Sequence, residues 1–105
     1  MLITDVIREA DNPHEIYFLL TAYVEAVRYC DPLHHLPAFM TELPFTGLMD
    51  VWMRAERMQT LLESPEGADP GIQVVLAEAR GVLAAAGERL GALSQNEAPS
   101  LLEAA

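Results

Sequence analysis

The stretch PHEIYFLLTAYVEAVRYC, residues 13–30, carries most of the decision about the fold. Asn12 precedes it as an N-cap, Pro13 takes the first helical position, and Glu15 stands three residues after Asn12, close to a capping box. Its end is equally clear, because Asp31 precedes Pro32 and a pre-proline residue resists helical geometry. The spacing predicts one helix from Pro13 to about Cys30. At about 100° per residue, His14, Thr21, Glu25 and Arg28 share one narrow polar strip, and nearly everything else is apolar. Such a helix is either wrapped by the others or covered on one face by a second subunit. With few helices available to wrap it, a homodimer is the expectation, and symmetric pairs are the commonest oligomers. Tyr17, Phe18, Tyr23, Val24 and Tyr29 are the candidate interface residues on it. The tyrosines suit a partly wet contact, having a polar tip on a large apolar body.

Outward from this helix the chain reads as more helices. Thr4 caps a short one, Thr4 to Asp11. Prolines 32, 37 and 44 leave room for only a turn or two around Ala38 to Leu43. Thr46 caps the next, Gly47 to about Leu62, with Leu48, Val51, Trp52, Ala55, Met58 and Leu62 as its apolar stripe. Asp50 and Arg54 lie off that stripe as a weak i,i+4 surface pair. Met49 and Met53 also fall together off it, as core rim or as an adaptable surface for a partner, and they join the candidate interface residues.

SPEGADPG, residues 64–71, is the clearest loop. Asp69 and Pro70 then open a last helix running to about Leu93. Its Ile72, Leu76, Ala79, Leu83, Ala86, Leu90 and Leu93 are spaced 4, 3, 4, 3, 4, 3. That is a heptad seam, which serves either the chain's own core or self-association. Gly81, Gly87 and Gly91 extend the option of close approach to its flanks. No segment alternates as a strand does. The expectation is an all-α protein: a small bundle of about four helices, three of them substantial, completed by dimerisation. Residues 1–94 form its single domain, and residues 95–105 read as a polar linker and a disordered C-terminal tail.

Composition narrows the function classes. Sixteen acidic residues face six basic ones, all arginine, for a net charge of −10. Arginine without lysine, with abundant alanine and leucine, suggests GC-rich bacterial coding. The charge repels phosphate backbones and anionic lipid, so neither nucleic acid nor a membrane surface is an expected partner. Mimicry of nucleic acid fits poorly, because the carboxylates are spread along the chain rather than massed in one block. One cysteine excludes an internal disulfide, and the acidic N-terminus lacks the basic region of a secretory signal. The longest apolar run, IYFLLTAYV, is about half of what a bilayer crossing requires. A cytoplasmic homodimer, or a module that engages another protein, is the expected class.

The chemistry-bearing residues gather in YCDPLHHLP, residues 29–37. His34, His35, Cys30 and Asp31 are all competent metal ligands. Adjacent histidines normally point apart, however, and paired CxxC or HExxH spacings are missing. Cys30 falls at a helix C-terminus, whose negative end disfavours a thiolate, so it is a poor nucleophile. The same helix end favours a protonated His34 or His35, a possible pH switch. The plainer reading makes this stretch a helix corner with its histidines at the rim. No nucleotide-binding or hydrolase motif occurs, and no cofactor or enzymatic activity is expected. A metal or small-ligand site near His34 and His35 is the alternative to an interaction module.

Overall fold

The computed structural model describes residues 2–30, 36–41, 44–65 and 69–104, with the side chains of 29, 30 and 95–104 outside that description. Among the described residues the chain is all-α. Its helices are α1 (Ile3–Arg8), α2 (Pro13–Cys30), α3 (Ala38–Thr41), α4 (Leu48–Glu63) and α5 (Pro70–Ala104). Three are substantial, as expected for a small bundle.

The helix starts follow local chemistry. The Glu15 amide donates to Asn12 Oδ1 at 2.9 Å, and the Glu15 carboxylate reaches back to the Asp11 amide at 3.3 Å. This is the expected box, displaced by one residue on its return arm. Asp69 Oδ1 accepts from the Gly71 and Ile72 amides at 2.9 and 3.4 Å, with Pro70 first in α5. Thr4 does not cap α1: the helix already begins at Ile3, with Leu2 in the cap position and no side-chain cap bond. Thr46 likewise leaves the cap of α4 to Gly47. Instead its amide donates to Asp50 Oδ2 at 3.2 Å, so the first-turn carboxylate satisfies the entry backbone.

The centre of the bundle is α5, not α2. It packs on α4 along one flank and on α1 and α2 along another, while α2 also touches α1 and α3. The heptad seam lies inside the chain's own core: Leu76, Ala79, Leu83, Ala86 and Leu90 are buried, and Ile72 and Leu93 pack against them. Val75, Val82 and Ala85 form a second buried strip on the same helix. Small side chains on both strips let α5 be approached from two sides. Arg89 fastens it to the α1–α2 turn by donating from Nε to the Ala10 carbonyl at 2.8 Å.

The apolar girth of α2 is largely absorbed within the monomer. Ile16, Leu20, Tyr23 and Val24 are core residues, and Tyr17, Leu19 and Val27 pack against them.

The backbone of α5 continues past Leu93, where the sequence reading ends it, to Ala104. Ser94 to Ala98 contain neither glycine nor proline, and extending an existing helix costs far less than starting one; that reason carries the helix as far as Pro99, which lies within the extension. A helix of 35 residues is about 52 Å long, which accounts for the 51 Å long axis of the molecule.

Candidate interaction face on helix α4

The buried side of α4 is Val51, Arg54, Ala55 and Met58. Arg54, expected at the surface, is only 4% exposed. Its Nε donates to Asp50 Oδ1 at 2.9 Å, an Nη donates to the Pro44 carbonyl at 2.8 Å, and the guanidinium lies 4.2 Å from the centre of the Phe45 ring. The segment before α4 thus folds back over the Arg54 side and supplies acceptors and a π face to a buried charge.

That seating rolls the opposite edge of α4 outward. Met49, Trp52 and Met53 are 71%, 40% and 55% exposed. Trp52, expected in the buried stripe, stands at the edge with one ring face on α5. A Cβ placed on Gly87 would meet the indole at 2.9 Å, so only glycine admits the ring in this position. The expected close approach therefore occurs at Gly87, whereas Gly81 and Gly91 face open space.

Beside Trp52 a cleft of about 360 Å³ runs between α4 and α5, lined by Trp52, Ala55, Glu56, Gln59, Arg80 and Ala84. Arg80, one of the lining residues, has its Nε–H enclosed by the protein with no hydrogen-bond partner. A second groove, about 550 Å³, is lined by Phe39, Arg57, Thr60, Leu61 and Ser64 among others. Three of the side chains lining it are engaged within the chain: Arg57 stacks 4.3 Å over Phe39, Thr60 Oγ1 donates to the Glu56 carbonyl, and Ser64 Oγ donates to the Leu61 carbonyl.

The other sequence candidates divide clearly. Phe18 is 71% exposed on α2, far more open than its neighbours. Tyr23 and Val24 are enclosed in the monomer core, and Tyr17 is half-buried against it. Tyr23 donates its hydroxyl to Glu78 Oε1 at 3.2 Å. Burial, reinforced by the Glu78 carboxylate, pushes the phenol well above its usual range. The side chains of Tyr29 and Cys30, together with Asp31, His34 and His35, lie outside the described residues. Among the described residues no group of three or more His, Cys, Asp or Glu side chains is placed to hold a metal. None of their helices is long and apolar enough to cross a membrane.

Comparison with known proteins finds no match: no family model, no curated protein and no solved structure is similar to this chain.

Proposed function

We propose that this chain is a small non-catalytic interaction module that works as a homodimer through the outer face of α4. The observation that carries the reading is the row Met49, Trp52 and Met53. Three large apolar side chains project from one helix face, the middle one held in place by Gly87. An exposed, contiguous apolar set marks interaction surfaces, and aromatic and Met side chains are enriched at them. Homodimerisation is the sequence expectation retained; its surface moves from α2 to α4, because most of the apolar girth of α2 is used inside the monomer. A cytoplasmic location belongs to the same reading, supported by the lone cysteine and the acidic composition.

Light scattering at micromolar concentration tests it. The expected mass is twice that of the chain, with Met53→Glu monomeric and Phe18→Glu still dimeric. A monomeric wild type overturns the reading, and a dimer broken by Phe18→Glu but not by Met53→Glu returns the surface to α2.

A further inference from the structure

We infer that Met49 and Met53 form a paired oxidation site, through which a peroxide takes the chain out of its dimer. This rests on the dimer proposed through α4 and names a chemical control on that same face. The described residues include four methionines, and the fold sorts them into two classes. Met40 and Met58 are sealed in the core, no more than 2% exposed, whereas Met49 and Met53 stand 71% and 55% exposed. The exposed pair is four residues apart, so its side chains occupy successive turns of one face of α4, with Trp52 beside them. Leucine, which this chain uses freely and which suits a helix as well as methionine, would give the row the same apolar bulk. Methionine at both places adds one property, a thioether that accepts oxygen.

A peroxide is the only co-reactant the step needs. A sulfur lone pair attacks one peroxide oxygen as the O–O bond breaks, and an S–O bond forms. The other oxygen takes up the proton of the first and, with hydrogen peroxide, leaves as water. Sulfur loses two electrons and the peroxide gains them. The sulfoxide is polar and needs water or a donor where the thioether needed neither, so a contact lined by Met side chains no longer closes over it. Both sulfurs are open in the single chain and would be covered in the proposed dimer. Oxidation therefore acts on the dissociated copy and holds it there, and methionine sulfoxide reductases reverse the change.

The test treats the full chain with hydrogen peroxide and locates the sulfoxides by peptide mass spectrometry. Met49 and Met53 should convert about ten-fold or more faster than Met40 and Met58, because access governs the reaction. Once the peroxide is removed, sedimentation should show the dimer dissociation constant raised by about ten-fold or more, with helical circular dichroism unchanged. Reductase treatment should restore the starting value. The variant Met49→Leu/Met53→Leu should dimerise as the wild type does and ignore peroxide, which separates this site from Cys30. Three results overturn the inference while the dimer stands: equal oxidation of all four methionines, a dimer unmoved by sulfoxides at both positions, or a response that persists in the leucine variant. Loss of helicity together with the dimer overturns it as well, since the core would then be the part oxidised. A monomeric wild type overturns both the dimer and its control.

Discussion

Tyr23 and Arg54 show how single polar groups enter this core. Tyr23 keeps its ring among Leu20, Val24 and the α5 side chains of the same cluster, while its hydroxyl reaches Glu78. The folded state holds the phenolic proton to a higher pH than the unfolded chain, whose tyrosines release theirs near pH 10. Between those two values the native state binds more protons, so stability falls as pH rises from about 10, by up to about 1.4 kcal/mol per pH unit for this group. With no lysine in the chain, few other groups titrate there. Urea unfolding at about pH 9 and about pH 11 should show a steeper alkaline loss in the wild type than in Tyr23→Phe, which has no proton to release. Equal losses would mean that the Tyr23 hydroxyl is as wet as in the unfolded chain. Arg54 enters the interior differently, accompanied by two acceptors and an aromatic face.

At the scale of elements, α5 is the helix whose composition has most to explain. Glycine in a helix interior costs about 1 kcal/mol relative to alanine, yet this helix has three beyond its first turn. Only Gly87 is required, by the indole of Trp52. Gly81→Ala and Gly91→Ala should each stabilise the chain by up to about 1 kcal/mol, whereas Gly87→Ala should destabilise it, because the ring must leave its seat or the helices part. Thermal melts of the three variants decide it; a Gly87→Ala protein melting above the wild type would mean that the Trp52 ring is not seated against Gly87. Helix existence, the Asn12 and Asp69 caps and the heptad seam were all readable in the sequence, because each depends on residues within a turn or two of one another. The identity of the central helix was not. α2 and α5 are both apolar over most of their girth, and periodicity does not say which one the others surround. The roll of α4 was equally hidden: burying Arg54 instead of Trp52 turns its core face by roughly 40° at about 100° per residue. That turn depends on Pro44 and Phe45 folding back, a contact across ten residues of chain. Met49 and Met53 could be placed off the stripe from spacing alone, whereas the Arg80 cleft needed the register between two helices.

For the whole molecule the controlling quantity is charge. A chain of −10 repels its own copy at long range, and a contact through the apolar side chains of α4 would form against that repulsion. The range is set by salt: the Debye length falls from about 30 Å at 0.01 M to about 10 Å at 0.1 M. Copies of a molecule 51 × 26 × 23 Å feel one another's full charge at the first concentration and mainly the facing surfaces at the second. The proposed α4 dimer should therefore tighten as salt rises over that interval, the reverse of an association driven by opposite charges. Further salt should change little, since the apolar row is insensitive to screening. Sedimentation equilibrium across the series measures this directly. Dimerisation that weakens steadily from the lowest salt would mean that the copies join through oppositely charged surfaces and not through the apolar row of α4.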